Sequence, residues 1–443
     1  MDIIKNLYIH ERFFKYLSSI AAIFLVSFWF PILYMVAWFM VTIFGILFIG
    51  DIYLLFRVGK GIHARRILSD KFSNSDLNPI PITVKNNYKF KVEVKLIDEL
   101  PTQFQKRDFE QVSFINPQNI WEFEYAMKPF ERGEYVFGNL NVYVSSFLRI
   151  VSRRYKFEEN KSVAVYPSYI QMKKYEFLAL SNRLTEFGLK KIRRIGHTLE
   201  FEQIKNYIAG DDVRTINWKA TAKRSQLMVN QYQDEKSQPI YSIIDVGRVM
   251  KMPFEELKLI DYAINSTLAF SNIALRKNDK AGLLTFAKKV DTVLAASNKK
   301  THLDTINEAL YNITTQFTDT DFGYLYAFIK RKITQRSLLI LYTNFEHISS
   351  LKRQLPFLTV IAKSHLLVVV FFANTELDQL ILDNAEDLQA IYHKTVAEKF
   401  AYEKKLIVKE LESKGVYGIL TKPQNLTVNV INKYLEFKSK GFI

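Results

Sequence analysis

The sequence predicts an α/β fold: a doubly wound, mainly parallel sheet preceded by a small β-sandwich and an amino-terminal two-helix transmembrane hairpin. Three observations predict it. From Leu17 to Phe56 the chain is almost wholly apolar, with Asp51 the sole charge. From about Pro79 to Pro167 short runs alternate in polarity, and from Gln238 onward near-continuous apolar runs alternate with amphipathic stretches.

The apolar stretch is about forty residues long, twice the roughly 20 that one helix needs to cross a bilayer. A turn near Trp29, Phe30 and Pro31 divides it into spans of about 14–30 and 33–56, since proline disfavours helix continuation. Trp29, Phe30, Tyr34 and Trp38 suit a membrane interface. The stretch is too long for a cleaved signal peptide and lacks a small-residue cleavage site. Lys5, Arg12 and Lys15 precede the spans, and Arg57, Lys60, Arg65, Arg66 and Lys71 follow them. The positive-inside rule then puts both flanks, and the bulk of the chain, in the cytoplasm. The hairpin occupies residues 1–60, and 61–78 is expected to be a linker.

Within 79–167 the runs at Ile82–Val84, Phe90–Leu96, Trp121–Tyr125, Tyr135–Phe137, Leu140–Val144 and Val163–Tyr166 read as half-buried strands. Asn86-Asn87, Asn116-Pro117 and Arg132-Gly133 punctuate them as turns. Strands in that number without helices predict the sandwich. A connector, 168–237, follows and carries the basic group Lys190, Lys191, Arg193 and Arg194. Residues 238–443 form the α/β domain, with apolar runs at Pro239–Ile244, Ala281–Phe286, Ser337–Tyr342, His365–Phe372 and Val416–Leu420, as strands covered on both faces require. Amphipathic stretches at Phe254–Arg276, His302–Ile313, Tyr324–Thr334, Ser350–Ala362 and Ala385–Ser413 supply the helices. Ligands of such sheets bind at the carboxyl ends of strands, which directs attention to Asp245, Thr343 and Asn344.

The net charge is +16, from 61 Lys and Arg against 45 Asp and Glu. The basic residues are dispersed and form no nucleic-acid-binding signature, so the expected anionic neighbour is a lipid bilayer and no nucleic acid is expected. There are no cysteines, which excludes disulfides and thiol chemistry. No phosphate-binding loop, nucleophile elbow or His-x-x-x-His spacing occurs, so no catalytic residue is assigned.

The densest polar segment runs from Tyr207 to Lys223 and includes Gly210, Asp211, Asp212, Arg214, Trp218 and Lys219. Two readings fit it. In one, Asp211 and Asp212 fix a loop and Trp218 plugs a join between domains. In the other, Asp212, Arg214 and Lys219 form a contact surface for a partner.

This segment, with Arg132–Tyr135, Val165–Pro167 and Arg193–Phe201, resembles the domain of unknown function 58 family of bacterial membrane proteins. Lys251–Phe254 and Asp261–Asn265 resemble a Bacteroidetes-type branch of it. The resemblance implies a von Willebrand factor A-like carboxyl-terminal domain, location in the bacterial inner membrane, and partnership with a MoxR-type AAA+ ATPase in assembling or activating client proteins. It also implies comparison with a metal-ion-dependent adhesion site, Asp-x-Ser-x-Ser plus a distant Thr and Asp. Here Asp245 is retained, Gly247 and Val249 replace the two hydroxyl residues, and Asn344 replaces the later Asp. Mg²⁺ wants several oxygen ligands, so no metal or other cofactor is expected. Asp245 is instead expected to cap a helix or pair with a cation such as Arg248. The resulting expectation is a non-enzymatic, membrane-anchored adaptor. The alternatives are a basic membrane-surface or nucleic-acid binder, and a metal-dependent ligand binder.

Overall fold

The computed structural model describes residues 2–106, 109–157, 160–180, 200–208, 211, 213–233, 237–255, 257–382 and 387–443. The chain forms two units, Met1–Tyr166 and Pro167–Ile443.

In the first unit a short helix α1 (Asp2–Asn6) and strand β1 (Leu7–Ile9) precede helices α2 (Glu11–Val26) and α3 (Ile32–Phe56). Pro31 stands just ahead of α3, where its missing N–H leaves no helical bond unmade. Phe13 of α2 meets Phe44 and Phe48 of α3 at ring distances of 5.3 and 5.5 Å, and Phe24 meets Tyr34 and Trp38 at 6.1 and 6.0 Å. Among the described residues one helix, α3, is long and apolar enough to cross a membrane. Helix α2 has 16 residues, short of the roughly 20 that a crossing needs.

Asp51 explains itself in this setting. It is fully buried, and its carboxylate accepts the Ser146 hydroxyl and the N–H groups of Ile150 and Val151 at 3.1 and 3.0 Å. The carbonyls at the end of α3 and in the turn just past it, which lack helical partners, are met by Arg153 and Tyr88. Arg153 donates to Leu55 at 2.8 Å, Val58 at 2.6 Å and Gly59 at 3.0 Å, and the Tyr88 hydroxyl to Leu55 at 2.8 Å.

The strands of this unit are β2 (Ile62–Arg66), β3 (Lys71–Ser73), β4 (Asn78–Asn86), β5 (Val92–Asp98) and β6 (Glu110–Ile115). They continue with β7 (Ile120–Met127), β8 (Gly133–Phe137), β9 (Leu140–Ser145), β10 (Val151–Phe157) and β11 (Lys161–Tyr166). The sheets run β1-β10-β9-β5-β6, β2-β4-β7 and β3-β11-β8. Alternate residues of β4 and β5 are buried, and Ile62, Ile82 and Val84 share a core with Val92, Val94, Val142 and Val144.

Residues 61–78 are therefore not a linker. They hold β2 and β3, and β2 escapes a polarity pattern because its buried positions include Arg66. Arg66 pairs with Asp98, which also accepts the Tyr125 hydroxyl at 2.5 Å, and Arg66 donates to the Gly138 carbonyl at 3.1 Å.

The second unit begins before residue 238. Helix α4 (Tyr169–Leu180) is followed by strand β12 (Glu200–Asn206), helix α5 (Trp218–Arg224) and strand β13 (Met228–Gln233), with β12 and β13 paired antiparallel. Met172 and Tyr175 of α4 pack on the core of the large sheet, and Ser168 N–H donates to Asn265 Oδ1 at 2.9 Å. The basic group Lys190, Lys191, Arg193 and Arg194 lies outside the described residues.

The large sheet contains β14 (Pro239–Asp245), β17 (Lys280–Phe286), β18 (Val290–Ser297), β19 (Leu338–Tyr342), β20 (Leu366–Phe372) and β21 (Tyr417–Thr421). A two-residue pairing of β15 (Pro253–Phe254) with β16 (Leu257–Lys258) precedes its first helix. The order is β18-β17-β14-β19-β20-β21, with β18 antiparallel and every other neighbouring pair parallel. Residues alternate between two cores: Leu338, Ile340 and Tyr342 face one, and Leu339 and Leu341 the other. Helices α6 (Leu259–Arg276), α7 (His302–Tyr311) and α12 (Leu426–Ser439) cover the first face. Helices α8 (Phe322–Lys332), α9 (Ile348–Ser364) and α11 (Leu388–Ser413) cover the second, and α10 (Thr375–Leu382) follows β20. The apolar runs were continuous because both faces are buried.

Candidate functional site

Asp245 ends β14 and is bonded by Thr343, which with Asn344 follows the carboxyl end of β19. Asp245 is fully buried. Its Oδ1 accepts the Gly247 N–H at 2.8 Å and its Oδ2 accepts the Thr343 hydroxyl at 2.7 Å. The Thr320 hydroxyl is a third partner. Burial outweighs these bonds and pushes the carboxyl up to about 6.

Gly247 is dictated by space. A Cβ there would stand 2.5 Å from the Thr320 methyl and 3.0 Å from the Thr318 carbonyl. The loop ahead of α8 is stitched to this turn, with Arg248 N–H donating to Thr318 at 3.0 Å and Gln316 N–H to Val246 at 2.7 Å. Arg248 does not pair with Asp245. It reaches Asp319 at 3.2 Å on the surface, because Asp245 is sealed beneath the turn.

The donors do not fit a divalent cation. Both Asp245 oxygens already accept internal bonds, Gly247 and Val249 bring no side-chain oxygen, and Asn344 Oδ1 accepts from Lys404 Nζ at 3.0 Å. An octahedral ion needs several free oxygens at one point.

Lys404 was not singled out from the sequence. It stands on α11 in an amphipathic charged run, where a lysine reads as solvated. Its ammonium also donates to the Phe345 carbonyl, and burial lowers it to about 8. It lines a cleft of about 330 Å³ over the ends of β19 and β20, walled by Phe254, Leu259, Phe372, Leu377 and Phe400.

The Tyr207–Lys223 segment lies on the β12–β13 hairpin. Asp211 holds its loop, accepting the Ile208 N–H and Lys205 Nζ at 3.0 Å each, and these bonds keep the carboxyl below its usual range. Gly210 and Asp212 lie outside the described residues. Asn217, not singled out earlier, is the keystone. It caps α5 by accepting the Ala220 N–H at 3.0 Å and donates to Asn230 of β13 at 2.8 Å. Its backbone N–H donates to Met228 at 2.8 Å.

Trp218 is 69% exposed. Ile208 and Val213 are similarly open, at 65% and 64%, and Arg214 and Lys219 are exposed. With Asn217 serving as cap, the next side chain is free to point outward.

Residues 203–380 match the family model described as "Protein of unknown function DUF58". That range includes the signature, Asp245 and Asn344 but ends before Lys404. The uncharacterised protein YeaD of Bacillus subtilis (strain 168) is 26% identical over 167 residues, 37% of this chain and 39% of that protein. The chain thus spans about two fifths of the curated relative it matches. Among solved structures, the conserved hypothetical protein BatB from Bacteroides thetaiotaomicron aligns at 13% identity and a TM-score of 0.31, over 46% of this chain and 100% of that one. The ASH/PapD-like domain 7 of human CEP192 aligns at 11% identity and a TM-score of 0.18, over 25% and 87%. The family match and the Bacillus relative together support the DUF58 family for this chain.

Proposed function

We infer that the protein is a non-enzymatic, membrane-anchored interaction module, and that its Tyr207–Lys223 segment docks a partner protein. The observation that carries this reading is the open tryptophan. Trp218, Val213 and Ile208 are exposed together with Arg214 and Lys219 on a hairpin fixed by Asp211 and Asn217. Trp and Arg dominate binding hot spots, and a rigid support lowers the entropy cost of docking.

The partner expected from the family resemblance is a MoxR-type AAA+ ATPase, which supplies the energy that this chain does not. The large sheet is read as von Willebrand factor A-like, with its strand order as support and its adhesion site given up. The chain enters the membrane through the α2–α3 hairpin, with α3 as the crossing helix. Helix α2, too short to cross alone, reaches the far face together with the apolar turn at residues 28–31, which keeps the basic flanks on the cytoplasmic side of a bacterial inner membrane. From Ile32, a rise of about 1.5 Å per residue traverses roughly 30 Å of hydrocarbon by about residue 51. Asp51 then leaves the apolar layer where the strands of the first unit receive it.

The test is a pull-down from solubilised membranes. The reading expects a MoxR-type ATPase to co-purify at high salt with the intact chain and to be lost with Trp218→Ala while thermal unfolding is unchanged. Steep loss with salt, and capture of polyanions instead, would favour the basic-surface alternative.

A further inference from the structure

The cleft over β19 and β20 holds a cation bonded only to neutral groups. Lys404 Nζ donates to Asn344 Oδ1 and to the Phe345 carbonyl, and forms no ion pair among the described residues. An ammonium has three N–H donors, so one remains for an acceptor from outside. The exposed Glu346 carboxylate acts on this charge from a distance and offsets only part of the cost of its burial, and an incoming anion relieves the remainder. The other charged groups facing the cleft are Glu346, which is exposed, and His347, whose Nδ1 is 3.3 Å from Glu403. Phe254, Phe372 and Phe400 offer apolar walls, and the volume of about 330 Å³ lies at the small end of the roughly 300–1,000 Å³ typical of small-molecule sites.

We propose that this cleft binds a small amphiphilic carboxylate, with its head on Lys404 and an apolar body of one-ring or short-acyl size among the phenylalanines. The site is separate from the docking segment, and Trp218 takes no part in it.

Calorimetry on the full chain in nanodiscs tests this with benzoate and hexanoate as probes and benzamide as the neutral match. Saturable binding of one carboxylate per chain is expected, with benzamide at least tenfold weaker. Lys404→Met should weaken benzoate at least tenfold, and Trp218→Ala should leave it unchanged. Because the free ammonium titrates near 8, affinity should hold at pH 7 and fall about tenfold per pH unit well above that value. If Lys404→Met fails to fold, the wild-type pH profile and the benzoate-to-benzamide ratio decide. Absence of saturable binding by either acid, equal binding of benzamide, or a flat pH profile would overturn the proposal.

Discussion

At the residue scale, Asp245 carries the most consequential chemistry. Its carboxyl titrates near 6 rather than its ordinary 3.8, so the folded state holds the proton that the unfolded chain releases. A raised carboxyl favours folding fully below the unfolded value and loses that advantage as pH rises to the folded value. Relative to Asp245→Asn, the native protein should lose about 3 kcal/mol of stability between pH 3.8 and 6. Denaturant unfolding of both proteins across that window checks it, and a constant difference would contradict it. At Gly247 a Ser substitution restores the adhesion-site hydroxyl only by displacing Thr320. It should cost about 1–3 kcal/mol, as overpacking does, without conferring Mg²⁺ binding by calorimetry. Asp245, Thr343 and Asn344 were legible as a group because strand ends are countable from apolar runs, whereas Gly247 was singled out only through the family resemblance. Thr320 and Lys404 were not, since each reaches the group from a distant segment whose local pattern reads as ordinary loop or solvated helix.

At the element scale, the strands that sequence revealed are those whose polarity follows burial. β4, β5, β14, β19 and β20 belong to that set. β2 and β10 were hidden because Arg66, Arg153 and Arg154 sit inside them. β6 was hidden because most of its residues are exposed. Those arginines do structural work, which separates two ion pairs sharply. Asp98→Ala removes the carboxylate from the buried Arg66 pair and should cost about 3–5 kcal/mol. Glu110→Ala breaks a pair with Lys95 that is 2.8 Å long but more than two-fifths exposed on both sides, and should cost less than about 1 kcal/mol. Equal losses in chemical denaturation would refute the distinction. Asp51→Leu strips an acceptor from Ser146, Ile150 and Val151. At about 1–3 kcal/mol for each buried group left unpaired, it should destabilise the first unit by at least about 3 kcal/mol. Thermolysin cleavage of the detergent-solubilised protein reads that loss.

At the scale of the whole molecule, each of the two units is built around its own cores, and the function proposed here lives on the second. The apolar amino-terminal stretch was plain in the sequence because hydrophobicity over that length has few other uses. Its attachment was not, since β1 lies ahead of α2 and pairs with β10 across well over a hundred residues. The Tyr207–Lys223 segment was legible as a dense polar signature, but its outward tryptophan was not, because exposure depends on which neighbour serves as the cap. Titration of the purified chain with a MoxR-type ATPase tests the central claim most directly. A hot-spot tryptophan contributes at least about 2 kcal/mol, so Trp218→Ala should raise Kd by at least about 30-fold at unchanged Tm. Equal affinity for the variant and the parent would contradict the account.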